Sequence, residues 1–144
     1  MTRAFPLAGL LRLRRLQEEA AAGKLAAANA RIRETGEMQA GAYLALTETS
    51  TAATDSATLH AVAAARASSR AMLADLAALG TRQAGEAAAA QAAFSSARAD
   101  SVGLEKLEAR HAGEIAAEDQ RTEQTVLDEL AGTAWQRRQK EASS

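Results

Sequence analysis

The chain has 144 residues, with 17 basic against 18 acidic side chains, two histidines, one proline and no cysteine. The length fits one domain; the absence of cysteine excludes a disulfide framework, a thiol nucleophile and a Cys-ligated metal, and a net charge of -1 offers no general means of displacing counterions from a nucleic acid, so no nucleic-acid partner is expected. Alanine supplies 40 of the residues, and because a methyl removes little apolar area from water, such a chain forms helix readily without filling a thick core.

The first apolar stretch, Ala4 to Leu11, is interrupted by Pro6 and Gly9 and closed by Arg12. It is far shorter than the roughly 20 residues of a membrane-spanning helix and lacks the layout of a secretory signal. Its Arg- and Ala-rich opening imitates an organellar transit peptide, but Glu18 and Glu19 follow at once, and a cytoplasmic chain is expected. Apolar residues then recur at Leu7, Leu10, Leu11, Leu13, Leu16, Ala20, Leu25, Ala28, Ile32, Ala42 and Leu46. Steps of three and four predict an amphipathic helix feeding a coiled-coil seam, a first arm over 4–48, with Pro6 in its first turn and Thr2 as its cap.

Between Thr47 and Thr58 hydroxyl and carboxylate side chains dominate. They compete with the helical backbone for its hydrogen bonds, which predicts a turn over 49–56 with Asp55 or Ser56 capping the next helix. A second arm over 57–140 follows, marked by Leu59, Val62, Leu73, Leu76, Phe94, Leu104, Leu107, His111, Ile115, Thr122, Val126, Leu130 and Ala134. No proline interrupts it. Gly80 and Gly85 are its weak points, and a turn near Gly80 is the alternative register.

Two amphipathic arms that cannot bury their stripes alone must fold back on each other. The predicted fold is all-α, a long antiparallel two-helix coiled-coil hairpin over 1–144. With the turn near residue 50, the second arm outruns the first by about 30 residues and ends as a single helix. Arg3, Arg12, Arg14 and Arg15 would face a segment, 105–129, that carries eight acids against three bases. Exposed pairs of this kind choose orientation more than they add stability.

Enzymatic signatures are absent. No GxGxxG, Walker loop or HExxH occurs, and Gly23-Lys24 is followed by Leu25 rather than Ser or Thr. Glu108-x-x-His111 matches the pair used by di-iron bundles, but His60, the other histidine, has Ala57 in place of the second glutamate. His111 therefore reads as a seam residue flanked by surface acids, with no catalytic residue, cofactor or metal expected. The cluster Trp135, Arg137, Arg138 is either a contact within the hairpin or an anchor for a partner. Phe5, Leu7, Leu10, Leu11 and Leu13 beside arginines also fit a helix lying on a lipid surface, although hairpin core with solvated arginines is the simpler reading. Tyr43, Phe94 and the methionines read as filler.

Two stretches carry a family resemblance. The opening Phe5-Pro-Leu-Ala-Gly-Leu-Leu-Arg-Leu-Arg-Arg-Leu-Gln-Glu-Glu-Ala with Lys24-Leu-Ala-Ala-Ala, and the later Leu104-Glu-Lys-Leu-Glu-Ala-Arg-His with Glu118-Asp-Gln-Arg-Thr-Glu-Gln-Thr-Val-Leu-Asp-Glu-Leu-Ala, resemble the two ends of the flagellar export protein FliJ family. The resemblance implies a stalk and general chaperone of flagellar type III export, similar to the gamma stalk of rotary ATPases. It implies a hexameric FliI-like export ATPase and a FlhA-like export gate protein as partners, with export chaperones besides, and a place on the cytoplasmic side of the membrane. The equivalent stalk of a virulence secretion system is the second reading. By the same resemblance the ATPase would be met by Leu7, Leu10, Leu11 and Arg14 on one arm and Leu127, Leu130 and Arg137 on the other. The gate would be met around Val62, Ala65 and Ser69, where alanine stands in place of the expected aromatic.

Overall fold

A computed structural model describes residues 3–49 and 54–144. Two helices make up the fold, α1 over Ala8–Glu48 and α2 over Ser56–Ala142, and among the described residues there is no strand. The fold is all-α, a two-helix hairpin. Thr2, the expected cap, and residues 50–53 of the expected turn lie outside the described residues. Gly80 lies inside α2, which removes the alternative register. Pro6 precedes α1 instead of sitting in its first turn, in a turn whose Phe5 carbonyl accepts from Ala8 N–H at 3.1 Å.

The helix ends follow from short polar side chains. At the end of α1 the Thr47 and Thr49 hydroxyls donate to the carbonyls of Leu44 and Ala45 at 2.9 and 2.7 Å, and the Ala45 carbonyl also accepts the Thr49 N–H at 3.2 Å, so short polar side chains bond back onto the last turn. At the start of α2 the Asp55 carboxylate accepts the Thr58 N–H at 2.7 Å, the N-cap geometry. That bond holds the Asp55 carboxyl below the usual carboxylate range.

The chain divides into two compact units, a central one of Arg15–Ala99 and a terminal one of Met1–Arg14 with Asp100–Ser144. In the central unit the helices run antiparallel: Arg98 pairs with Glu18 at 2.9 Å and Arg31 with Glu86 at 3.4 Å. Less exposed residues of α1 recur at multiples of seven in two sets, Glu18, Leu25, Gln39 and Leu46, with Ile32 passed over, then Ala21, Ala28, Thr35 and Ala42, the second set reaching Thr49 just past the helix end. Those of α2 are Val62, Ser69, Leu76, Gln83, Ala90 and Ala97, then Arg66, Leu73, Gly80, Ala87 and Phe94. Such sets are the inward positions of a coiled coil. The seam is thin and partly polar. Ala28 and Ala42 are its buried apolar residues and Thr35 and Gln83 its buried polar ones, and Gln83 Oε1 finds no hydrogen-bond partner. A methyl built on Gly80 would stand 4.0 Å from Gln39 Nε2, so the helices pass closely there.

In the terminal unit the N-terminal residues lie antiparallel along α2. Arg3 pairs with Asp119 and donates to the Ile115 carbonyl at 3.3 Å, while Arg14 pairs with Asp100 at 3.3 Å. Leu11 is 2% exposed and Ser101 wholly buried. The two sevenfold sets continue through Ser101, Leu104, Glu108, His111 and Ile115.

Several expected seam residues are not in it. Leu10, Leu13, Leu16 and Leu107 are exposed, because a strict seven-residue repeat admits two positions per heptad and these fall between them; Ile32 and Leu59 are in phase, seven after Leu25 and seven before Arg66, yet are exposed as well. Thr122, Val126 and Leu130 were expected to extend the seam, but from Ala116 to Thr133 every residue is exposed. The stripe read for a lipid surface is also divided: Leu11 is buried and Phe5 half-buried, leaving Leu7, Leu10 and Leu13 outside.

Candidate interaction surface

Helix geometry decides which of the expected contact residues can meet a partner. Leu7 and Leu10 are exposed, and Leu127 and Leu130 are about 60% exposed, an arrangement that leaves their apolar area for another molecule. Arg137 is exposed as well. Leu11 and Arg14 differ: the first is sealed in the seam and the second is half-buried in its pair with Asp100. The structure does not gather the remaining leucines into one patch. Leu7 and Leu10 lie on the N-terminal segment, behind the Arg3 and Asp119 pair, while Leu127 lies eight residues past Asp119, about 12 Å along the helix at 1.5 Å per residue.

One clasp in the terminal unit was not foreseen. His111 donates from Nε2 to the Arg3 carbonyl at 3.0 Å, and its ring lies 5.8 Å from that of Phe5 at a tilt of 46°. With Arg3 holding Asp119 and the Ile115 carbonyl, this ties residues 3–5 to three successive turns of α2. His111 is thus a seam residue, and among the described residues no group of three or more His, Asp or Glu is placed to hold a metal ion. The only sign in the sequence was an aromatic two residues from an arginine near one end and a histidine near the other.

The other singled-out residues separate in the same way. Trp135 is 58% exposed, so it is not a contact within the hairpin. Val62 and Ser69 occupy inward positions of the central unit and are half-buried, whereas Ala65, between them, is exposed. The open grooves along the terminal unit are shallow, as in the one lined by Thr122, Glu123, Val126 and Leu127. No helix among the described residues is long and apolar enough to cross a membrane.

Leu130 and Ala134, expected in the hairpin seam, belong instead to a second apolar stripe. Continuing the seam of α2 from His111 and Ile115 in sevens gives Glu118, Thr122, Thr125 and Glu129, all polar. Leu127, Leu130 and Ala134 instead lie on the opposite side of the helix, at steps of three and four. Those steps were visible in the sequence; only the structure shows that they are out of phase with the seam.

Among known proteins, residues 3–140 match the model of a family described as Flagellar FliJ protein. No curated protein and no solved structure matches the chain.

Proposed function

The chain belongs to the flagellar FliJ family, a non-enzymatic component of flagellar protein export, and from that premise we propose that it is the stalk of the export apparatus. Acting as one hairpin from end to end, it binds a hexameric FliI-like ATPase through its terminal unit and a FlhA-like gate protein through its central unit. It catalyses nothing itself; it couples the two machines, accepts export chaperones, and sits peripherally on the cytoplasmic side of the membrane. Its ATPase contact is made by Leu7, Leu10, Leu127, Leu130 and Arg137. Leu11 and Arg14 support that surface from within the hairpin. The gate contact centres on Ala65, with Val62 and Ser69 holding the helix beneath it.

The observation that carries this reading is the match over nearly the whole chain. Exposed leucines beyond the Arg3 and Asp119 pair support the choice of docking end. Capture of the purified hexameric ATPase on the immobilised chain tests it. Leu127→Asp with Leu130→Asp should abolish capture while leaving the helical circular dichroism signal unchanged, since neither side chain is packed. Undiminished capture by that variant would remove the C-terminal segment of α2 from the contact.

A further inference from the structure

We propose that the C-terminal segment of α2 pairs antiparallel with the same segment of a second copy of this chain, through a seam of its own formed by Glu123, Leu127, Leu130, Ala134 and Arg137. These residues follow one another at steps of four, three, four and three, the spacing that keeps one stripe facing a partner helix. All five positions except the half-buried Ala134 are exposed. The hairpin seam, extended into this segment, is polar, so the apolar stripe lies on the side of the helix that α1 does not use. It is a coiled-coil face without its second helix.

The order of charges along the stripe says what that helix is. It reads acid, leucine, leucine, alanine, base. A parallel copy would set Glu123 on Glu123 and Arg137 on Arg137, a juxtaposition of like charges. An antiparallel copy in which Leu127 packs on the other's Leu130, and Leu130 on its Leu127, sets Glu123 opposite Ala134 and one helical turn from the other's Arg137. Among the described residues neither Glu123 nor Arg137 has an ion-pair partner within its own chain. The arrangement is two-fold and closes on itself, the isologous form that stops at a dimer. Because the stripe holds two leucines, the dimer belongs to the weak, concentration-dependent class. The pairing does not depend on the ATPase reading; where both hold, they compete for Leu127 and Leu130.

Sedimentation equilibrium on the full chain alone tests it, so its outcome is separate from that of ATPase capture. The expected result is a monomer–dimer equilibrium in which Glu123→Arg, or Arg137→Glu, raises the dissociation constant about tenfold or more by placing like charges together. Combining both substitutions restores it. The chain has no cysteine, so introduced thiols report orientation cleanly. In a glutathione buffer a Glu123→Cys chain mixed with an Ala134→Cys chain should form a mixed disulfide, and Glu123→Cys alone should not cross-link to itself. A chain that stays monomeric at every concentration, a double variant as weak as the single ones, or ready self-cross-linking of Glu123→Cys would each overturn the proposal.

Discussion

Up to Ile115, α2 turns one face inward at every heptad; from Ala116 to Thr133 the same helix turns none. The two stretches also differ in composition. Residues 57–99 contain 19 alanines among 43 positions, whereas residues 116–142 contain five among 27. The alanine-rich stretch falls within the part of the helix that has a partner. Small side chains let two backbones approach and so need contact along their whole length, while leucines spaced along a charged helix can offer a partner a few strong points of attachment. Burial therefore follows closeness in one stretch, and apolar exposure marks the other as a place for a second molecule.

Leucine truncation on either side should break the comparison most sharply. Leu11→Ala removes a fully buried side chain and should cost about 2–3 kcal/mol in urea unfolding of the chain. Leu130→Ala, in the unpaired stretch, should stay within about 0.5 kcal/mol of the parent. Equal effects would mean that the two leucines share one environment.

Smaller and opposite in sign is the effect expected at Ser101, whose wholly buried hydroxyl finds no hydrogen-bond partner. Ser101→Ala should raise stability by about 1 kcal/mol, because an unsatisfied buried polar group costs roughly that much or more and alanine is the better helix former. A loss of stability would show that the hydroxyl has a partner in solution.

The least effect is expected from glycine replacement, and it sharpens the contrast by where it is felt. A methyl added at Gly85 or at Gly132 would meet nothing within 4 Å, so each substitution gains helix propensity, about 0.5–1 kcal/mol. In the paired stretch Gly85→Ala should raise the midpoint of global unfolding. In the unpaired stretch Gly132→Ala should slow amide exchange locally and leave the global midpoint almost unchanged.

How far the sequence carried the fold can be argued from particular residues. Leu25, Ala28, Ala42 and Leu46 announced the heptad of α1, and the hydroxyl-rich segment with Asp55 announced the start of α2. Thr35, Gln39, Gln83 and Ser101 did not announce themselves, because a search for apolar periodicity passes over polar side chains, and alanine occurs on every face of these helices, leaving the inward positions without contrast. The candidate surface was legible in part. Leu7, Leu10, Leu127, Leu130 and Arg137 are exposed, but Leu11 is not, since the sequence gives no sign of which of two adjacent leucines faces inward until the register is known. The clasp of Phe5 and His111 joins residues more than a hundred positions apart, a distance at which local pattern says nothing.

The single tryptophan adds a practical consequence. Trp135 stands with its indole more than half in solvent, on the stretch of α2 that carries the unclaimed leucines, and no other indole exists in the chain. Its emission should begin red-shifted, as water relaxes around the excited ring, and move to the blue when a neighbour excludes that water. The molecule thus carries its own optical reporter at the place where assembly would be felt, requiring no dye, no tag and no alteration of the chain.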